Sequence, residues 1–118
     1  MNHFSVLLSV YNAENHKYLE AALSSIWDRQ LLKPKQIVIV KDGPLTMDLD
    51  KVIYDFTLKA PVKLVELKEN VGLGLALATG LKHCDFEIVA RMDSDDISTS
   101  DRFSKQISKI SEGYDLVS

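Results

Sequence analysis

The chain has 118 residues, of which 46% are hydrophobic, 14 are Lys or Arg and 17 are Asp or Glu, for a formal net charge of −3. That length holds one domain with a real core and not two, and the apolar content excludes a disordered tail or a fibrous protein. The mild acidity and the lack of a Lys/Arg cluster argue against a nucleic-acid partner, while one cysteine, Cys84, excludes an internal disulfide and, with no spaced Cys/His set around it and His83, argues against zinc.

The start, MNHFSVLLSVYN, carries no basic leader and too short an apolar run for a signal peptide or spanning helix. Residues 4–10 (FSVLLSV) are nearly continuously apolar, as in a central parallel strand covered on both faces. YNAEN breaks the run, and residues 16–29 turn helical, with Leu19, Ala22, Leu23, Ile26 and Trp27 on one stripe and Asn15 as N-cap. QIVIV at 36–40 is a second strand, followed by the turn KDGP. Residues 48–58 read as a helix with Leu49, Val52, Ile53 and Phe56 on one face, ended by Pro61. Residues 62–67 alternate apolar positions with Lys63 and Glu66, which predicts an edge strand.

ENVGLG then leads into a helix over 73–83, whose inward stripe is expected to be Leu73, Leu77 and Leu81. Residues 86–90 predict a fourth strand, and 100–112 a fourth helix with Phe103, Ile107 and Ile110 inward. Strands alternating with helices require right-handed crossovers, so we expect a three-layer α/β/α domain around a mostly parallel sheet. The last residues, YDLVS at 114–118, read as the start of a fifth strand. A truncated piece of a longer protein is therefore expected, with a small self-contained signalling domain as the competing view.

In an open α/β sheet the ligand crevice lies beyond the carboxyl ends of the strands. Four polar segments fall there: YNAEN, KDGP, KENVGLG and RMDSDD. RMDSDD sets Asp93, Asp95 and Asp96 side by side after an apolar run. Like charges in a cleft raise one another's pKa, and a divalent cation removes the conflict; carboxylate oxygens suit Mg²⁺ or Mn²⁺. The alternative is that Asp96 or Ser98 caps the next helix and the other carboxylates are solvated.

Asp42 fits a base or ribose contact, or an Asx-turn on its own backbone. Lys41 fits a phosphate contact or plain solvation. Asn70, Gly72 and Gly74 belong to a glycine-rich loop that lacks the third glycine of GxGxxG and the GK[ST] of a P-loop; it lines a site or relieves packing. Tyr11 and Asn12 end the first strand at the crevice, with Tyr11 against a base or simply packed. Arg91 pairs with a neighbouring carboxylate or contacts a diphosphate, and Arg102 is a second basic group near the carboxylates. His16 reads as a helix-start residue, His83 as a surface residue and Trp27 as core.

SVLLSVYN, IVIVKDGP, ENVGLGLALATGL and EIVARMDSDDISTSDRFSKQ, in that order along nearly the whole chain, resemble family 2 glycosyltransferases. The combination R-M-D-x-D-D-I with R-F-x-K-Q resembles a bacterial surface-polysaccharide branch. The resemblance implies the nucleotide-binding part of an A-type glycosyltransferase fold, with a Rossmann-like sheet of the nucleotide-diphospho-sugar transferase type. It implies transfer of a sugar from a nucleoside diphosphate donor, UDP being the expected one, with inversion and with Mn²⁺ or Mg²⁺. By position, Tyr11 lies by the base and Asp42 matches the second acidic position of the D-D-G run. Asp93 and Asp95 match the D-x-D pair for ribose and metal, and Asp96 the supporting aspartate. Four positions depart from the family pattern: Ser9 for proline, Lys41 for the first aspartate of D-D-G, Pro44 for serine and Thr79 for asparagine.

A sugar transfer needs a carboxylate to deprotonate the acceptor hydroxyl. The resemblance puts that base beyond Ser118, so residues 1–118 are expected to bind donor weakly and transfer no sugar alone. The expected acceptor is a glycan or lipid-linked hydroxyl, and the expected location is the cytoplasm or the inner membrane face, with peripheral membrane association through a missing part. Two other classes fit an acidic α/β crevice. A metal-dependent nucleotidyltransferase would want a basic glycine-rich loop after the first strand, which YNAEN is not. A receiver-like signalling module would want a phosphoacceptor and a late lysine, and Lys41 and Asp42 do not fit that arrangement.

Overall fold

The computed structural model describes residues 3–94 and 98–111, with side chains as far as Ile107. Four strands and four helices alternate: β1 (Ser5–Val10), α1 (His16–Ile26), β2 (Gln36–Lys41), α2 (Met47–Thr57), β3 (Val62–Glu66), α3 (Leu73–Leu81), β4 (Val89–Arg91) and α4 (Arg102–Ser111). The strands form one parallel sheet in the order β3-β2-β1-β4. The three-layer parallel α/β/α expectation holds, and β3 is the edge strand that its alternating charges predict.

Strand period and crossover hand together dictate the layers. Even-numbered residues of β1 and the residue before it (Phe4, Val6, Leu8, Val10) pack with Ile37 and Ile39 against α1 and α2. Leu7 turns the other way, with Val38, Val40 and Val65, onto Ala76 and Leu77 of α3. Right-handed crossovers from β1 to β2 to β3 keep α1 and α2 on one face; the return from β3 to β4 puts α3 on the opposite one. The direction of winding reverses between β1 and β4, and a crevice opens at such a switch point.

Local chemistry sets the ends. Asn15 caps α1, its Oδ1 accepting from the Lys17 and Tyr18 amides at 2.8 and 3.3 Å. Thr46 Oγ1 caps α2 through the Leu49 amide at 3.2 Å, and Asp48 and Asp50 in its first turn suit the helix dipole. Trp27 is the C-cap of α1, so that helix stops before residue 29; the ring is half-buried against the core, with Lys33 Nζ 5.3 Å from its centroid. His16 opens α1, and His83 is half-buried in the turn after α3, its carbonyl accepting from Lys63 Nζ at 3.3 Å. The ladder between β1 and β4 begins at Ser5 and Val89, so β4 starts later than residue 86. Phe103 anchors α4, its ring edge-on to Phe4 at 5.0 Å between centroids. Such a pair contributes about 0.5–1.5 kcal/mol beyond burial. Ile110, Glu112 and the strand expected at 114–118 lie outside the described side chains or residues.

The stripe expected on α3 is corrected. Leu73 and Leu81 are 55% and 53% exposed, and the helix meets the sheet through Ala76, Leu77 and Gly80. A Cβ at Gly80 would lie 2.5 Å from Val40 Cγ2 and 2.6 Å from Leu7 Cδ1. Small residues let the helix axis approach the strands, and the larger leucines are carried to its flanks.

Candidate functional site

A cavity of about 420 Å³ opens at the carboxyl ends of the strands. Its lining comes from all four polar segments: Ser9, Tyr11 and Glu14 after and within β1, Asp42 after β2, Asn70, Gly72 and Leu73 before and in α3, and Met92, Asp93 and Ser94 after β4. Tyr11 presents an exposed ring to it, and Asp93 is exposed at its rim.

Asp42 is the organising residue. It is 3% exposed, and its two carboxylate oxygens accept from the Val71 amide at 2.7 Å and the Gly72 amide at 3.1 Å. Its carbonyl accepts from Asn70 Nδ2 at 3.3 Å, and its amide donates to Val10 O at 2.8 Å. No Asx-turn on its own backbone forms; the side chain instead holds the glycine-rich loop in front of α3. A carboxylate has about four lone-pair sites, so two bonds leave acceptor capacity toward the cavity. Two glycines make the approach possible. Gly43 has φ of +87°, and a Cβ there would meet the Asn70 nitrogen at 2.7 Å; Gly72 has φ of +95° and is the N-cap of α3.

Lys41 points away from the cavity, because neighbouring residues at a strand end face opposite sides. Its Nζ lies 2.8 Å from Asp50 Oδ1 and 3.2 Å from Glu66 Oε1. Burial works against its charge, but the bonds from Asp50 and Glu66 outweigh that and hold its pKa above the ordinary value. The phosphate contact considered for Lys41 is not what it makes.

Arg91 is likewise not brought to the cavity; its side chain lines a separate apolar groove with Leu7, Leu73, Leu77 and Leu81. Asn12 is exposed in the turn after β1 and lies outside the lining. Arg102 donates to Ser98 Oγ at 2.9 Å and to the Arg91 carbonyl at 2.8 Å. Ser98 therefore takes a guanidinium rather than capping α4. Asp95 and Asp96 lie outside the described residues. Among the described residues no three His, Cys, Asp or Glu side chains gather closely enough to hold a metal ion, and no helix is long and apolar enough to cross a membrane.

Five lining residues are not read as site residues from the sequence: Ser9, Glu14, Leu73, Met92 and Ser94. Glu14 sits in the turn where its amide donates to Tyr11 O at 3.2 Å, and a carboxylate in the first βα turn is the signal that could have found it. With Asp42 and Asp93 it makes the described lining acidic, with no Lys or Arg in it. Carboxylate oxygens as a class suit Mg²⁺ or Mn²⁺ rather than a soft metal, but the described carboxylates do not gather into a ligand set.

A parallel sheet of this order with an acidic cavity at its switch point defines a Rossmann-like α/β domain of the A-type glycosyltransferase fold. Residues 5–118 match Glycosyl transferase family 2, and the chain belongs to that family. It is 47% identical over 92% of its length to an uncharacterized glycosyltransferase of Haemophilus influenzae, of which it covers 40%. It is 43% identical over 97% of its length to the amylovoran biosynthesis glycosyltransferase AmsE of Erwinia amylovora, of which it covers 42%. It is 38% identical over 85% of its length to the Escherichia coli UDP-Gal:alpha-D-GlcNAc-diphosphoundecaprenol beta-1,3-galactosyltransferase, of which it covers 36%. The chain thus spans about two-fifths of these relatives. Among solved structures, S. aureus TarS in complex with UDP superposes with a TM-score of 0.81 at 28% identity, over 94% of this chain and 32% of that one. The mannosyltransferase PcManGT of Pyrobaculum calidifontis, in complex with GDP-Man and Mn²⁺, gives 0.68 at 27% identity, over 80% of this chain and 28% of that one.

Proposed function

We propose that residues 1–118 are the nucleotide-sugar-binding portion of a glycosyltransferase that moves a sugar, with inversion, from a UDP-sugar to a hydroxyl of a glycan or lipid-linked acceptor. The observation that carries this is the acidic cavity at the switch point, in a chain of this family. A diphosphate entering a described lining that holds Glu14, Asp42 and Asp93 and, among the described residues, no Lys or Arg meets like charge. A cation resolves that repulsion, and Asp93, Asp95 and Asp96 are the residues we assign to Mn²⁺ or Mg²⁺. When bound, the cation stabilises the departing diphosphate electrostatically.

The chain's own groups bind and orient. Tyr11 lies against the base, and Asp42, by engaging the Val71 and Gly72 amides and the Asn70 side chain, fixes the loop of Asn70 and Gly72 along the donor. The acceptor oxygen attacks the anomeric carbon, the bond from that carbon to the diphosphate breaks, and the hydroxyl proton passes to a carboxylate base. Asp93 and Asp95 are not given that role, because a cation-bound carboxylate is a poor base. UDP is preferred because one relative is named for UDP-Gal and a solved relative of the fold holds UDP. The Escherichia coli relative is named for a diphosphoundecaprenol-linked acceptor, which supports the lipid-linked alternative for the acceptor.

The test is product formation by the full-length protein from UDP-galactose, UDP-glucose and UDP-N-acetylglucosamine with a diphosphoundecaprenol-linked sugar, with Mn²⁺ and with EDTA. Cation-dependent transfer supports the reading. Release of pyrophosphate from a nucleoside triphosphate and a sugar phosphate instead would overturn it.

A further inference from the structure

Ser9, near the carboxyl end of β1, carries a buried hydroxyl that the protein does not bond. Other buried serines are satisfied internally. Ser5, on the same face of β1, donates to Gln36 Oε1 at 2.8 Å. Ser25 Oγ donates to Ala22 O at 2.7 Å, and Ser98 Oγ accepts from Arg102 Nη1 at 2.9 Å. Ser9 is 7% exposed, yet its hydroxyl has no hydrogen-bond partner among the described residues. It lines the cavity at the carboxyl ends of the strands.

A buried hydroxyl left unbonded is costly, and an alanine would leave the same room without that cost. The family pattern has proline here, which carries no side-chain donor or acceptor. The neighbours of Ser9 restrict what it meets. Asp42 closes the adjoining end of β2, its amide bonded at 2.8 Å to the carbonyl of Val10, the next residue along β1. Its buried carboxylate shares the lining and repels phosphate, so the part of a ligand that reaches Ser9 is uncharged. Tyr11, two positions on, offers an exposed ring to the same cavity. A base laid against that ring brings the nucleoside, rather than the diphosphate, within reach of Ser9.

We infer that Ser9 is a specificity-determining residue of the donor site, its hydroxyl hydrogen-bonding the nucleoside through a carbonyl of the base or a hydroxyl of the ribose. A serine hydroxyl both donates and accepts, so it serves either group. A site that bonds such a group rejects a ligand lacking it, because the protein's own polar atom is then left unpaired. The contact rests on the donor site proposed above, whereas the unpartnered hydroxyl does not.

The test uses full-length wild type and Ser9→Ala. Kd is measured in Mn²⁺ for UDP, ribose 5-diphosphate and pyrophosphate, and Tm is measured without ligand. We expect Ser9→Ala to raise the Kd of UDP about fivefold, the loss of one neutral hydrogen bond, and to leave that of pyrophosphate unchanged. A rise shared by ribose 5-diphosphate assigns the contact to the ribose, and a rise confined to UDP assigns it to the base; both support the inference. Tm of Ser9→Ala equals or exceeds that of wild type, because no internal bond is lost. An unchanged Kd for UDP overturns the contact, and so does an equal rise for pyrophosphate. A Tm lowered by several degrees means that the hydroxyl is bonded within the protein, which also overturns it. If wild type itself binds no UDP, the proposed function falls and the contact with it; a wild type that binds UDP and a Ser9→Ala that binds it equally well remove the contact alone.

Discussion

The carboxylate of Asp42 and the amide of Gly72, thirty positions apart in sequence, meet at 3.1 Å, and the neighbouring Val71 amide takes the other oxygen at 2.7 Å. This pairing welds the turn after β2 to the glycine-rich loop and places both on the cavity wall. An asparagine at position 42 keeps one acceptor oxygen and sets an NH₂ against an amide. We therefore expect Asp42→Asn to lose about 1–3 kcal/mol of stability, the cost of a buried donor left unsatisfied. Urea unfolding of the two forms measures it; equal midpoints and slopes would remove the structural role assigned to Asp42.

Two glycines of α3 respond in opposite directions to the same change. Gly80→Ala drives a methyl to 2.5 Å from Val40 Cγ2 and costs about 1–3 kcal/mol of overpacking. Gly74→Ala meets nothing within 4 Å and gains up to about 1 kcal/mol of helix propensity. Thermal unfolding of both variants should move Tm down for the first and up for the second.

Lys41 carries the pH dependence that the ion pairs allow. Its pKa is raised in the folded chain, so its contribution to stability is fully present below its ordinary value of 10.5 and is lost as pH rises through the higher folded value. Asp50 and Glu66 are 45% and 67% exposed, and solvent screening limits the pair of bridges to about 1 kcal/mol or less. Lys41→Met should be slightly less stable than wild type at neutral pH, and on the alkaline side the gap should close only in strong alkali. A gap that closed between neutral pH and pH 9 would contradict the assignment.

The order of elements was legible because hydrophobic period separates strand from helix, and the hand of crossovers then gives the layers. Which side of an element faces which layer was less legible. The leucines at 73, 77 and 81 read as a core stripe by period alone, but close approach selects small residues, and Ala76 and Gly80 take that face. Lys41 and Asp42 show the same limit at a strand end: adjacent in sequence, they point to opposite sides, one to α2 and one to the cavity. Arg91 leaves the cavity for the same reason. Asp42 was readable as a site residue, but its bonds to Val71 and Gly72 span a sequence distance that no local pattern reports. Glu14 carries only a weak local signal, a carboxylate in the first βα turn, and the turn geometry is what brings it to the lining.

The central claim is that this cavity takes a nucleoside diphosphate with a cation held at the acidic segment. Calorimetric titration of UDP, GDP, CDP and ADP tests it most directly, in Mn²⁺, Mg²⁺ and EDTA, on wild type and on Asp95→Ala, with circular dichroism confirming that each is folded. The account predicts cation-dependent binding of UDP, lost in EDTA and in Asp95→Ala. A folded protein that binds none of the four with either cation, or binds UDP equally well in EDTA, would contradict it.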